Sequence, residues 1–483
     1  MVEPESATAS GVVRMKTIGE IIARDLSRKI QEIIQVDQAD EESVYQEIME
    51  YVATPSIRAH YRQLLGAMAE APSELREGIG VWVSGFFGSG KSSFVKNLGY
   101  ALHNPRIRGR PFAEWFKERM DDPELADLLD NIHARWRTGV IFFDVAKERD
   151  TRLATQRIAE IMYRVLLREL DYAEDFDLAE LEIELEAEGR LAELEQLCLE
   201  LHQQPWRRVR KGAQRLARTS SILHRLDPKT YPTADSWAQV HGQRREPLSV
   251  SKIVQRTFEL WGRRRPGQAL VFIIDEVGQH VATSEERIED LRATVEEFGR
   301  VGRNLVKQGK IPAPCWIIVT SQEKLDEVVS SLDARRVELA KLQDRFSIRV
   351  DLPPSDIREV ASKRVLAKKP EGEHLLRELF RQHEGVLHEA LSLERTTRHT
   401  HLSADEFAHF YPYPPHYIDL CISIMSGLRQ QLGESRHLGG SNRTIIKQTY
   451  EMLVHERTNY AQKPIGALVT LDKVYDLVED NLS

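Results

Sequence analysis

The chain has 483 residues, of which 41% are hydrophobic and 29% charged, and a formal net charge of −8. These values suit a large globular protein of two or three domains. They exclude a globally basic surface, so any contact with nucleic acid must use a local patch.

The N-terminal residues, the apolar runs and the cysteines indicate the cellular compartment of the protein. Residues 1–14 are polar and lack the basic and apolar regions of a signal peptide, so we expect a disordered tail there. No apolar run is long enough to span a membrane. The cysteines Cys198, Cys315 and Cys421 lie far apart in the sequence. Together these features predict a cytoplasmic protein without a disulfide framework and without a membrane partner.

The chain begins with helical patterns. "IGEIIARDLSRKIQEII" and "EESVYQEIMEYV" carry apolar residues at helical spacing over 16–70, and Pro55 breaks the pattern. "GVWVSG" (80–85) is then a short, bulky apolar run that ends in glycine, which predicts a buried strand.

A glycine-rich segment, "GFFGSGKSS", follows that strand and precedes a second helical pattern. It fits the phosphate-binding pattern GxxxxGK[ST] in the strand–turn–helix setting that the pattern requires. Lys91 should reach the β- and γ-phosphates of a nucleotide, and Ser92 should ligate Mg²⁺. We therefore predict a site for ATP or ADP formed by Gly85, Phe86, Phe87, Gly88, Ser89, Gly90, Lys91, Ser92 and Ser93.

Further apolar runs predict the rest of a sheet. They are 139–145, 269–275, 315–320 and 346–352, each nearly all apolar and separated from the next by helical patterns. Strands that are apolar on both faces are typical of a parallel sheet between two helical layers. We predict a doubly wound α/β domain with five parallel strands over 15–353.

Residues 172–245 interrupt the alternation of strands and helices. Glu174–Glu195 is an acidic, leucine-rich helical pattern, and "WRRVRKGAQRLAR" (206–218) is its basic counterpart. We interpret this region as a helical insertion. Either the two segments pair by charge, or the basic one is a surface for nucleic acid or a partner protein.

The strand 269–275 ends in an acidic pair, which predicts the second half of the nucleotide site. Asp275 should hold Mg²⁺, and Glu276 should take a proton from the attacking water. The next strand ends in Thr320, Ser321 and Gln322, and any of these could position that water. Ordinary strand-end hydrogen bonding is the alternative.

Two arginines complete the prediction. Arg345 precedes the fifth strand, where an arginine can stabilise transition-state charge in a neighbouring subunit or form a surface salt bridge. Residues 354–450 read as a helical lid, followed by a helical segment or linker over 451–483. Arg443 begins a helix of that lid and could reach back to the γ-phosphate, or it could simply pack there.

This order of motifs resembles that of AAA+ ATPases of the initiator and loader type. The resemblance implies Walker A roles for Lys91 and Ser92 and Walker B roles for Asp275 and Glu276. It further implies a sensor 1 role for Thr320 or Ser321, an arginine finger at Arg345 and a sensor 2 role for Arg443.

A more specific resemblance rests on "IARDLSRKIQEIIQVDQADEESVYQEIMEYVATPSIRAHY", "FAHFYPYPPHYIDL" and "GGSNRTIIKQTYEML". These segments resemble the P-loop ATPase of bacterial BREX phage-defence systems, the BrxC/PglY family. The resemblance implies that the segment around Ile34–Gln38 borders the adenine. Members of that family are much longer, so we expect either a shortened chain or a short relative.

We therefore expect a bacterial defence ATPase that uses ATP and Mg²⁺, forms a homo-oligomer, and assembles on DNA or with other defence proteins. Two alternatives remain open. One is a DNA-loading or motor ATPase outside defence, and the other is a signalling switch or scaffold that binds ATP with little turnover.

Overall fold

A computed structural model describes the protein over residues 16–30, 35–73, 78–85, 88–148, 156–241, 248–281, 284–330, 342–391, 402–421 and 445–478. Within these residues the strands are β1 (Gly80–Ser84), β2 (Arg106–Ile107), β3 (Arg110–Pro111), β4 (Arg137–Asp144), β5 (Gln268–Asp275), β6 (Trp316–Ser321) and β7 (Ile348–Asp351). Along this part of the chain, no helix is both long and apolar enough to cross a membrane.

Five of these strands form one parallel sheet in the order β4–β5–β6–β1–β7, while β2 and β3 form a separate hairpin. This confirms the predicted five-stranded α/β fold. The central strand β6 is buried at every position, as its apolar run predicts. The strand β7 is shorter than predicted and alternates buried and exposed residues, because it lies at the edge of the sheet and one face meets solvent.

Helices surround the sheet. Their bounds are α1 (Ile18–Ile21), α2 (Glu41–Glu50), α3 (Pro55–Glu70), α4 (Lys91–His103), α5 (Phe112–Met120), α6 (Pro123–Arg135), α7 (Val145–Glu148), α8 (Ile158–Glu169), α9 (Phe176–Ala187), α10 (Leu191–His202), α11 (Trp206–Val209), α12 (Arg215–Leu226), α13 (Ser236–His241), α14 (Val250–Arg264), α15 (Val277–Val281), α16 (Glu285–Lys307), α17 (Leu325–Ser330), α18 (Pro354–Val365), α19 (Pro370–Leu391), α20 (Ala404–Phe410), α21 (Ile445–Val454) and α22 (Leu471–Val478). A 3₁₀ turn covers Tyr460–Gln462.

Each face of the sheet has its own hydrophobic core. Successive side chains of a strand point to opposite faces, and β5 shows both. Ile273 packs with α3–α6 on one face, whereas Phe272 packs with α8, α14 and α16 on the other. The sheet is therefore covered on both sides, which holds the carboxyl ends of its strands in fixed register. Asp144 of β4 lies beside Asp275 of β5, and Ser84 of β1 beside Ser321 of β6.

The described part of the predicted insertion, residues 172–241, contains several short helices around a core of its own. The predicted acidic helix is two helices, α9 and α10, because Gly189 takes a left-handed conformation (φ 72°) between them. The acidic and basic segments contact each other, and Arg210 donates a 2.9 Å hydrogen bond to the buried carboxylate of Glu182. Trp206 donates a second hydrogen bond to this carboxylate, at 2.5 Å. The charge-pairing interpretation of these segments is confirmed.

The N-terminal segment packs with the helices that follow β7. We call α18–α21 the lid helices. The predicted helix over "IGEIIARDLSRKIQEII" ends at Ile21, because the backbone of Ile22 bridges Lys368 and the N–H of Ala23 bonds Ala367 O at 2.7 Å. Four isoleucines of this segment, Ile18, Ile21, Ile22 and Ile30, share a core with the lid helices, and so do Tyr460 and Val469. The lid-side core thus includes residues from outside the predicted range 354–450.

Candidate functional site

The glycine-rich turn connects β1 to the N-terminus of α4. Gly88 and Gly90 have φ values of 80° and 92°, which only glycine adopts without strain. Gly90 is the N-cap residue of α4, and no side chain caps this end. The helix therefore begins at a residue that offers its first N–H groups no side-chain acceptor, which is the arrangement that binds anions. Phe86 and Phe87, also predicted for this site, lie outside the described residues.

The cation of the turn is buried within it. Lys91 is 5% exposed, and its Nζ donates a 2.7 Å hydrogen bond to the carbonyl oxygen of Gly85. The hydroxyl of Ser89 is also buried and has no hydrogen-bond partner in the described part of the chain. A buried hydroxyl without a partner is costly unless a ligand satisfies it. The segment from Gly85 to Lys91 therefore combines a buried cation, the N-terminus of a helix and a buried hydroxyl that lacks a partner among the described residues.

The acidic tip of β5 reaches this turn. Ser92 in the first turn of α4 donates a 2.8 Å hydrogen bond to Oδ2 of Asp275, although the two residues lie 183 positions apart. A serine hydroxyl beside a buried carboxylate is a set of hard oxygen donors that suits Mg²⁺, which usually keeps several waters. The predicted metal residues Ser92 and Asp275 are thus in direct contact, and they fit the ion.

Glu276 lies next to Asp275 in a strained conformation. Its φ is 58°, and its Oε2 is buried without a hydrogen-bond partner among the described residues. Burial raises the pKa of Glu276, and the nearby Asp275 and Asp144 raise it further, whereas Lys91 and a hydrogen bond from Gln322 oppose the shift. A carboxylate whose pKa is raised toward neutrality, with an oxygen available, has the properties of a general base.

Thr320 connects the two acidic residues. Its hydroxyl donates a short hydrogen bond to Oδ1 of Asp275 and accepts one from the N–H of Glu276 at 3.0 Å. Ser321 instead accepts a bond from the N–H of Glu323 at 3.1 Å, and Gly278 packs against its hydroxyl. Of the two hydroxyls that the sequence left open, the one on Thr320 touches the acidic pair, while Gln322 contacts Glu276.

This geometry predicts different outcomes for the two hydroxyls. Replacing Thr320 with Val should lower kcat for ATP hydrolysis by about 10–100-fold, because a partner that orients a metal-binding carboxylate typically contributes that much. Ser321→Ala should leave kcat unchanged and is the matched control. Steady-state ATP hydrolysis by the two variants measures this difference. An equal loss of kcat in both would contradict the assignment of Thr320 as the residue that orients Asp275.

Of the two arginines predicted for the site, the structure describes only Arg345. Arg345 precedes β7, and its backbone carbonyl lies against Gly80 at the start of β1, at the edge of the sheet opposite the glycine-rich turn. Its guanidinium lies 3.3 Å from a carboxylate oxygen of Glu296 on α16. It therefore lies away from the site of its own chain. Arg443 lies outside the described residues.

A cleft joins the glycine-rich turn to the lid helices. We call it the lid cleft. Gly88, Ser89, Gly90 and Ser93 form one wall, and the apolar side chains of two helical layers form the others. These apolar residues are Tyr51, Val52, Ile57, Ile357, Val360 and Ile446. Of the segment Ile34–Gln38, the described part (35–38) is absent from the lining. Its Gln38 side chain bonds Asp40 and Ser43 instead.

Sequence reasoning did not identify the charged residues of the lid cleft. Glu50 at the end of α2 and Arg364 near the end of α18 both line it. They contact each other although they lie 314 positions apart. Each belongs to an ordinary amphipathic helix, and no local pattern marks it. Glu50 and Arg364 are identified only by their contact in the tertiary structure, because no sequence motif contains them.

A five-stranded parallel sheet, with a glycine-rich turn after β1 and an acidic tip on β5 that bonds the following helix, defines an α/β P-loop NTPase fold. No protein-family model matches the chain. Among solved structures it is similar to the Aeropyrum pernix ORC1 protein in complex with DNA, with 12% sequence identity and a TM-score of 0.29, over 89% of this chain and 84% of that chain. The strand order of the sheet and the glycine-rich turn after β1 define the fold.

Proposed function

We propose that the chain is an AAA+ module that binds ATP with Mg²⁺ and hydrolyses the γ-phosphate. One observation carries this proposal: the hydroxyl of Ser92, in the first turn of α4, bonds the carboxylate of Asp275, while Glu276 beside it keeps a buried oxygen for which the described residues offer no hydrogen-bond partner. A structural strand end does not need an unsatisfied carboxylate oxygen, which costs stability. A site that activates a water molecule needs such an oxygen, because that oxygen accepts the proton of the water.

The protein residues divide the chemistry among them. The N–H groups at the start of α4 and the Nζ of Lys91 would hold the β- and γ-phosphates. Glu276 would accept a proton from a water in line with the γ-phosphate, while Thr320 holds Asp275 and the backbone of Glu276 in register. Mg²⁺, held by Ser92 and Asp275, supplies charge neutralisation of the phosphates when bound.

The lid cleft supports a nucleoside as the rest of the ligand. It continues from the glycine-rich turn into an apolar space between α2, α3 and the lid helices. Apolar walls with a few polar groups are typical of sites for small organic ligands. An adenine base would lie against Tyr51, Val52 and Ile57.

For the biological role, we propose a cytoplasmic ATPase of a bacterial BREX-type defence system. Support comes from the sequence resemblance of the N-terminal and lid segments to that family. In this proposal, nucleotide binding gates assembly on DNA or with partner defence proteins, as the lid responds to the γ-phosphate.

Oligomerisation would complete the active site. Arg345 lies at the opposite edge of the sheet from its own site and so would act on the site of a neighbouring subunit. Arginines supplied in this way raise hydrolysis by ~10³-fold or more. A homo-oligomer would then be the active form.

One alternative has support of its own, namely a switch that binds ATP with little turnover. The guanidinium of Arg345 is paired with Glu296 within the same chain, which favours slow hydrolysis by a single subunit. Measuring ATP binding and turnover of the purified chain, with and without DNA and over a range of protein concentrations, separates these functions.

In that experiment we expect bound ATP, and turnover that rises with protein concentration. Lys91→Ala should lose both binding and turnover, because the cation that holds the phosphates is gone. Tight binding with negligible turnover at every concentration would support the switch. Strong stimulation by DNA with directional movement would support a motor, and an absence of ATP binding by the unaltered chain would reject all three.

A further inference from the structure

Two backbone hydrogen bonds tie the N-terminal segment to the lid helices, at the connection between α18 and α19. The N–H of Ala23 donates to the carbonyl oxygen of Ala367 at 2.7 Å, and the N–H of Lys369 donates to that of Ile21 at 2.9 Å. We call this pair of bonds the lid junction. Lys368 lies between its two lid-side residues, so the junction fixes the backbone from which the side chain of Lys368 extends.

The side chain of Lys368 is buried in the lid, which is unusual for a lysine. The residue is 7% exposed, and its Nζ donates a 2.9 Å hydrogen bond to the carbonyl oxygen of His409 on α20. Among the described residues, no carboxylate lies within ion-pairing distance of this Nζ. An ammonium group has three N–H donors, and burying a charge without a counter-ion is costly. The surroundings of Lys368 therefore favour the neutral amine.

The ionisable groups near Lys368 do not change this preference. They are Glu20 of the N-terminal segment, Glu359 and Lys363 of α18, Lys369 before α19, Glu373 of α19, and His409 of α20. Lys363 is ion-paired with Glu359 at 2.6 Å, and Lys369 donates to the backbone of Glu20 at 2.8 Å. Glu373 attracts the charge of Lys368, but burial outweighs this attraction and lowers the pKa of Lys368 from 10.5 to about 7.

We propose that the lid junction is a proton-sensitive switch, which is closed while Lys368 is a neutral amine and opens when that amine takes up a proton. Opening would break the two backbone bonds and bring the ammonium group into water, which satisfies all of its donors. Because α18 also lines the lid cleft, opening would release the C-terminal end of that helix. The proposed ATP site plays no part in the switch, so each can fail without the other.

The direction of the pH dependence follows from the burial of the amine. A group whose pKa is lower in the closed form binds fewer protons there, so closing is favoured as the pH rises. For Lys368 this holds between about 7 and 10.5, and closing gains little as the pH falls below 7. The pKa of His409 is lowered from 6.5, so its own contribution is confined to pH values below 6.5. The range from pH 7 to 9 therefore separates Lys368 from His409.

The test is hydrogen exchange of the full chain, measured by mass spectrometry on peptides that contain Ala23 and Lys369 and corrected for the intrinsic exchange rate at each pH. In the unaltered chain, protection should rise by about 10–100-fold from pH 7 to 9, because the open form binds close to one proton more. Lys368→Met should be strongly protected throughout this range, since Ser362 still donates to the carbonyl oxygen of His409 at 3.0 Å.

Two further variants control for charge and for general effects on α18. Lys368→Arg carries its charge at every pH in this range, so its protection should stay low and constant. Lys363→Met removes an exposed, ion-paired lysine of α18 and should keep the pH dependence of the unaltered chain. If Lys368→Arg does not fold, the comparison of Lys368→Met with the unaltered chain decides.

Three results would overturn the proposed switch. Protection that stays constant from pH 7 to 9 in the unaltered chain would show that the junction is not linked to a proton. The same rise in Lys368→Met as in the unaltered chain would assign the proton to another group. A rise in Lys368→Arg equal to that of the unaltered chain would show that the closed junction accommodates a charge.

Discussion

Glu276→Gln is expected to leave ATP binding intact while lowering the turnover rate by about 10²- to 10⁴-fold, the usual contribution of a general base. The amide has nearly the same shape as the carboxylate but cannot accept the proton of the attacking water. The backbone contact to Thr320 does not involve the side chain, so the site should keep its geometry. Single-turnover hydrolysis and nucleotide titration measure the two quantities separately.

The matched control for this experiment is Glu285→Gln, an exposed glutamate in the first turn of α16, which should hydrolyse ATP at the normal rate. Turnover that survives in Glu276→Gln would show that another group takes the proton. Asp144, whose pKa is raised by burial and by Asp275, would then be the next residue to replace. Loss of binding as well would show that Glu276 has a structural role.

The second large effect concerns the buried ion pair between Lys96 of α4 and Glu47 of α2, whose charged atoms lie 2.8 Å apart. Lys96→Met should lower the free energy of unfolding by about 3–5 kcal/mol, because it leaves the carboxylate of Glu47 buried without its counter-ion. Replacing both residues with Met should restore most of that stability, since an apolar pair of similar volume is often neutral. Denaturant unfolding of the three proteins measures the difference, and a double variant as unstable as the single one would contradict the argument.

The same pair predicts a pH dependence. Burial raises the pKa of Glu47 more than Lys96 lowers it. A carboxyl group whose pKa is higher in the folded than in the unfolded state favours folding at low pH, and that contribution is lost as pH rises through the folded pKa. Lys96→Met removes the opposing charge, so its loss of stability should be largest at neutral pH and should shrink as the pH falls through the raised pKa of Glu47. A deficit independent of pH would indicate lost packing instead.

Much of the fold could be predicted because its signals are local. A buried parallel strand must be apolar on both faces, and the runs at β1, β4, β5 and β6 show this within a few residues. The glycine-rich turn needs positive φ at Gly88 and Gly90, which only glycine supplies without strain. The predictions of secondary structure were wrong where tertiary contacts override the local preference for a helix. The N-terminal helical pattern ends at Ile21 because the chain pairs there with the backbone of Lys368.

By itself, the sequence determined the sheet, the turn and the two acidic residues that end β5, since each depends on the chemistry of a few adjacent residues. It could not decide between Thr320 and Ser321, which are neighbours of the same chemical type. Nor could it show that Arg364 meets Glu50 beside the turn, because an ion pair that spans 314 positions leaves no periodicity in either helix. Only the tertiary structure decided these contacts: the sheet brings Thr320 against Asp275, and the fold brings Arg364 of α18 within hydrogen-bonding distance of Glu50 at the end of α2.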